Sequence, residues 1–209
     1  MTHHPASTID AEKAAKAFAA SLTGRGPHWD ETMAVMHPKM ADSGNENAWY
    51  VIDNCIDEGI CESEPEPGSD EEFEILTRWC EKRAQTCKQK MHQVAIENGH
   101  ILAHRIIDSE PENLKASLGI FWSHDFGNWP DPVTPWGKGR GAFPTLLIEA
   151  LVPVEAVDWQ ISCTALMDWM VGDCESELRL KPGYPLKEVR GFYLSDRKPI
   201  ILPDKNYVS

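Results

Sequence analysis

Apolar residues recur at helical spacing in the first half of the chain and at strand spacing in the second, and the change falls near residue 99. Ser7 or Thr8 followed by Asp10-Ala11-Glu12 marks a helix start, because a hydroxyl can cap the first free amides and early acids suit the helix dipole. The Ala-rich run to Leu22 favours helix, and Gly24-Arg25-Gly26-Pro27 stops it. A second helix is expected from about 28–30 until just before Pro38. A third covers about 46–58, where Trp49, Ile52 and Cys55 or Ile56 share a face and Gly59 ends the run. After Pro65, Pro67 and Gly68, the pair Ser69 and Glu72 has the spacing of a capping box and opens a long amphipathic helix reaching Asn98-Gly99. Phe73, Leu76, Trp79, Cys80, Arg83, Cys87, Met91 and Val94 form its stripe, which reads as a core-facing seam.

From residue 101 the alternation becomes two-fold and predicts strands at 101–107, 118–123, 144–152, 156–162, 175–180 and 188–194, with a short helix at about 164–171. The expected fold class is α+β: a helical region over 1–99 followed by a β-rich domain over 100–209. The segment 125–141 is rich in Gly and Pro, carries Trp129 and Trp136, and has the length of a functional lid.

Composition narrows the classes of function. At 209 residues, 42% hydrophobic and 25% charged, the chain can bury a substantial core. A net charge of -13 disfavours adhesion to nucleic-acid backbones, which depends on clustered Lys and Arg. Much of the acidity lies in 57–74, a segment without a basic residue that reads as a solvated surface. No apolar run is long enough to cross a bilayer and no basic leader precedes one, so the expected location is cytoplasmic. Six scattered cysteines read as reduced thiols, and the absence of zinc-knuckle or HExxH spacing makes a structural metal an unfavoured expectation.

Three segments carry candidate chemistry. In the strand 101–107, Arg105 shares a face with Ile101, Ala103 and Ile107, and a guanidinium among apolar neighbours needs an anionic partner. That partner can be an intramolecular acid or a bidentate ligand such as a diphosphate. His104 lies on the opposite face and reads as a packed histidine. The run Leu118-Gly119-Ile120-Phe121-Trp122-Ser123 ends in a hydroxyl at a strand terminus. Although His124-Asp125 follow, adjacent residues cannot form a Ser-His-Asp triad, whose members meet from separate parts of a fold. In Glu175-Ser176-Glu177-Leu178-Arg179-Leu180, alternation puts Glu175, Glu177 and Arg179 on one face and the other three in the core. That face reads either as an exposed strand with a Glu–Arg pair or as paired carboxylates entering a cleft.

In this order, HRIID, LGIFWSHD and ESELRL resemble the ADP-ribosyltransferase fold, in its Arg, Ser, Glu-x-Glu class known from bacterial toxins and related phage proteins. The resemblance covers about 101–194 and implies a split β-sheet core. It implies that Arg105 binds NAD, that Ser123 positions the catalytic Glu177, and that Glu175 serves the acceptor. His104, Trp122 and Ser123 would join Arg105 in lining the NAD site, with Trp129 and Trp136 as further rings able to stack. Residues 146–159 look like the family's middle strand pair, and Leu180-Lys181-Pro182-Gly183 like the turn after its catalytic strand. The chain departs from the pattern after Ser123, where His124-Asp125 replace Thr-Ser.

The implied activity is NAD-dependent mono-ADP-ribosyl transfer, with NAD as co-substrate and a protein arginine as the first expected acceptor. Two alternatives stand beside it: an NAD glycohydrolase on the same fold, with water as acceptor, and a non-enzymatic acidic protein that occupies a basic partner.

Overall fold

In the computed structural model the described residues are 3–22, 44–125, 143–168, 176–203 and 206–209, with side chains described for all but 44–50 and 168. They form an α+β fold: helices α1 (Ala11–Leu22), α2 (Gly44–Asp57), α3 (Asp70–Met91) and α4 (Trp159–Asp168), and strands β1 (His100–Asp108), β2 (Phe121–Ser123), β3 (Thr145–Pro153), β4 (Glu177–Arg179), β5 (Lys187–Tyr193) and β6 (Pro199–Ile200). The helix expected near 28–37, the segment 125–141 apart from Asp125, and the residues Trp129, Trp136 and Glu175 lie outside the described residues.

Local chemistry sets the helix boundaries. Asp10, rather than Ser7 or Thr8, caps α1: its Oδ1 accepts from the Lys13 amide at 3.1 Å, while Pro5–Thr8 forms a separate 3-10 turn. The capping box at α3 is present in a shifted form. Ser69 Oγ accepts from the Glu72 amide at 3.1 Å, and the Glu72 carboxylate reaches back to the Gly68 amide at 2.7 Å. This helix ends at Met91, short of the expected Asn98-Gly99, because that pair makes a different turn. Asn98 and Gly99 have φ of 49° and 75°, and Glu97 and His100 exchange both backbone hydrogen bonds across them. Two consecutive left-handed residues are what a tight hairpin turn requires, so Asn98-Gly99 starts β1 instead of closing α3.

All strand pairings are antiparallel, in the order β4-β2-β1-β3-β5-β6. β1 and β3 pair along their whole length, from His100 opposite Pro153 to Asp108 opposite Thr145. β1 and β2 meet at a single pair, His104 opposite Ser123, so the sheet divides there into a four-stranded and a two-stranded part. Two expected strands differ. Only Phe121–Ser123 of 118–123 enters the sheet, and 156–162 is not a strand. Asp158 Oδ1 accepts from the Ile161 amide at 3.0 Å, so Asp158 caps α4, and the middle strand pair implied for 146–159 is one strand followed by this helix. β6 was not legible in the alternation.

Ile101 and Ala103 of β1, Leu146, Ile148, Ala150 and Val152 of β3, Trp122 of β2 and Leu178 of β4 bury one face of the sheet. They belong to the same apolar cluster as Phe18, Leu76, Trp79, Met91 and Leu166 of the helices. The helical and β-rich halves therefore share one core. α4 packs on α1, α3 and β4, and so ties the helices to the edge strand that carries Glu177.

Candidate functional site

Directly opposed residues of antiparallel strands project from the same face. The register therefore builds one polar row across four strands: Glu149 of β3, His104 of β1, Ser123 of β2 and Glu177 of β4. This is the face opposite the helices. Ser123 is 2% and Glu177 8% exposed, an unusual depth for polar groups and one that calls for satisfied partners.

Glu177 forms an ion pair with Arg179, the residue next but one on the same strand face. The Arg179 guanidinium lies 4.0 Å from the centre of the Phe121 ring, its cross-strand neighbour, so it is held by charge on one side and by the ring on another. The β4 backbone is fixed by α4. The Arg179 amide donates to Ser162 Oγ at 2.9 Å, and the Arg179 carbonyl accepts from the Asp158 amide at 2.8 Å. An edge strand whose outer groups are occupied in this way cannot slip in register. Ser176, just before β4, has φ of 51°, a left-handed turn that costs a non-glycine residue about 1–2 kcal/mol.

Ser123 thus lies directly opposite Glu177 in the register of β2 and β4. Its hydroxyl also lies 3.3 Å from both the amide nitrogen and the carbonyl oxygen of Asp125, which fixes the chain as it leaves β2. His104 Nε2 is 3.8 Å from Glu149 Oε1. Burial pushes the His104 pKa below its ordinary value against the pull of Glu149, and burial does the same to His124 against Asp125.

Arg105 approaches from the other side of the sheet, opposite Ile148 of the core face. Its Nη1 donates to the Phe121 carbonyl at 3.0 Å, and Gly119 lies against the guanidinium, where an added Cβ would stand 3.0 Å from Nη1. Nε is buried with no hydrogen-bond partner among the described residues. Burial lowers the Arg105 pKa, and the charge of Glu177 opposes that shift.

No known protein family, curated protein or solved structure matches the chain. His104, Ser123 and Glu177 share one face across β1, β2 and β4, while Arg105 reaches the Phe121 carbonyl from the core face. Trp122 does not join them: it is 2% exposed on the core face, its indole nitrogen donates to the Gly119 carbonyl at 2.9 Å, and the ring offers no face to a ligand.

Arg179, Asp158 and Ser162 were not singled out as site residues. Alternation did put Arg179 beside Glu177, but the supports from α4 were hidden because 156–162 reads as a strand. A shallow hollow lined by Asp53, Glu64 and Glu72 lies apart from this row, beside α2 and the start of α3. Among the described residues no cluster of His, Cys, Asp and Glu is arranged to hold a metal, and no helix is long and apolar enough to cross a membrane.

Proposed function

We propose that this chain is a mono-ADP-ribosyltransferase that cleaves NAD and passes ADP-ribose to an acceptor, a protein arginine being the first candidate. One observation carries the reading. Ser123 of β2 stands in register with a largely buried Glu177 carboxylate of β4, and the Arg105 guanidinium reaches from the core face to the Phe121 carbonyl of the same β2 strand. Core packing alone does not call for a carboxylate at that position.

In the proposed reaction the bond between nicotinamide and ribose breaks and nicotinamide leaves with the bonding electrons. Positive charge develops on the ribose, and a fixed carboxylate stabilises it only as it appears. Glu177 supplies that carboxylate. Ser123 holds the strand end opposite it, and Arg105 holds the Phe121 carbonyl at the seam. The acceptor nitrogen then bonds to the ribose carbon and gives up its proton to a base, the part assigned to Glu175 by the resemblance.

The test is release of nicotinamide from NAD, with and without an arginine-bearing protein, alongside label transfer to that protein. Release that depends on the acceptor supports transfer. Release into water alone makes the chain a glycohydrolase. No release under either condition removes the enzymatic reading and leaves an acidic interaction protein.

A further inference from the structure

The ion pair between Glu177 and Arg179 poses a problem for any role of Glu177 as a stabilising anion. A carboxylate already matched by an adjacent guanidinium has less charge to offer a developing cation, because the two fields oppose each other at short range. The side chains of Arg179 and Glu177 are 20% and 10% exposed, so water does little to screen the pair. For Glu177 to act, another anion must take over Arg179.

The arrangement suits such an exchange. Arg179 shares the sheet face of Ser123 and Glu177, whereas Arg105 is placed on the core face and already donates to the Phe121 carbonyl. The Phe121 ring lies 4.0 Å from the Arg179 guanidinium carbon and supports the group through its face, a contact that does not consume N–H donors. A guanidinium supported by a ring can turn its planar fork of donors to a diphosphate and grip it by two parallel hydrogen bonds.

We propose that Arg179 is the diphosphate-binding residue of this site, and that ligand binding transfers Arg179 from Glu177 to the diphosphate, so that the carboxylate becomes available only when the ligand is in place. This rests on the proposed reading of the site as one for NAD. The exchange makes and breaks ionic contacts only. It leaves Arg105 as the residue that closes the seam and Arg179 as the one that meets the ligand.

The experiment titrates inorganic diphosphate into the 209-residue chain and follows thermal unfolding, since a ligand that binds only the folded state raises the melting temperature. The wild type is expected to show a saturable rise, R105K to keep most of it, and R179Q to lose it through at least a tenfold weaker affinity. In NAD turnover, R179Q should raise KM at least tenfold while kcat changes less. If R179Q does not fold, R179K and F121L replace it: the first keeps the charge without the fork, the second keeps the fork without the ring, and each should give a smaller shift than wild type. No shift in the wild type, or a shift that survives in R179Q and disappears in R105K, overturns the proposal. Nicotinamide release by the wild type tests the NAD reading separately. Diphosphate binding through Arg179 without release would leave this site standing and sink the transferase reading. Release with no dependence on Arg179 would do the reverse.

Discussion

Arg105 Nη1 donates to the Phe121 carbonyl at 3.0 Å, just where β1 and β2 cease to pair. Beyond the His104–Ser123 pair, a continued ladder would bring Ile106 opposite Phe121, and the strands do not continue it. A backbone carbonyl at a ladder end still needs a donor, and the Arg105 side chain provides one. The guanidinium is thus part of the sheet's construction, whatever else it binds.

Arg105→Lys is accordingly expected to lower the stability of the ligand-free protein. An ammonium on a flexible stem cannot reproduce the planar contact with Phe121 and Gly119, and one hydrogen bond from a charged donor is worth about 1.5–3 kcal/mol. Denaturant melts without ligand measure this. Unchanged stability would mean that the contact to Phe121 is incidental.

Gly119 should be intolerant of a side chain for two separate reasons. Its φ is +75°, and an added Cβ would stand 3.0, 3.2 and 3.3 Å from Arg105 Nη1, Nη2 and Cζ. Gly119→Ala should therefore cost about 1–3 kcal/mol, combining left-handed strain with displacement of the guanidinium. Combining Gly119→Ala with Arg105→Ala tests the second part: the double variant should lose less than the two single losses added together.

The sequence made β1 and β3 legible because each is a long, half-buried run of apolar residues, and the faces of Arg105 and Glu177 followed from two-residue alternation within their own strands. The Ser69 and Glu72 cap was legible because its chemistry is local. What failed were signals with two meanings. Asn98-Gly99 closes helices and also turns hairpins, and only the partner strand decides between them. Residues 156–162 alternate like a strand, yet Asp158 followed by Ile161 and Ser162 supplies a helix cap that outweighs the alternation. The union of Arg105 with the Phe121 carbonyl, and of Arg179 with Phe121 and α4, comes from tertiary register, which local pattern does not encode.

Acidification should weaken the fold through His104 and His124. Burial holds both below the ordinary histidine value of 6.5, so near neutrality the folded protein keeps them unprotonated. Once the pH falls below 6.5 the unfolded chain takes up protons that the folded chain does not. The stabilisation they contribute is then complete above that pH and is lost as the pH drops toward the depressed folded values. Glu149 and Asp125 oppose these shifts and limit the loss. Replacing both histidines with Gln should flatten the stability profile between pH 6.5 and 5, as read from urea midpoints at each pH; a slope equal to wild type would assign the acid sensitivity to other groups.

Glu177→Gln separates the two demands placed on this residue. The amide keeps the shape and can still accept from Arg179, so the protein should fold, with a loss of about 1–3 kcal/mol from weakening the ion pair. Turnover should fall about 10²–10³-fold, since removing one preorganised electrostatic stabiliser costs about 3–4 kcal/mol at the transition state. Binding should move the other way. With Glu177 neutral, Arg179 loses the ion pair that competes with a ligand diphosphate among the described residues. NAD affinity, measured directly by calorimetry rather than inferred from KM, is therefore expected to stay level or tighten while turnover collapses. A fall in both would indicate that Glu177 holds the ligand or the fold rather than the transition state. Turnover within a few-fold of wild type would remove Glu177 from the chemistry altogether.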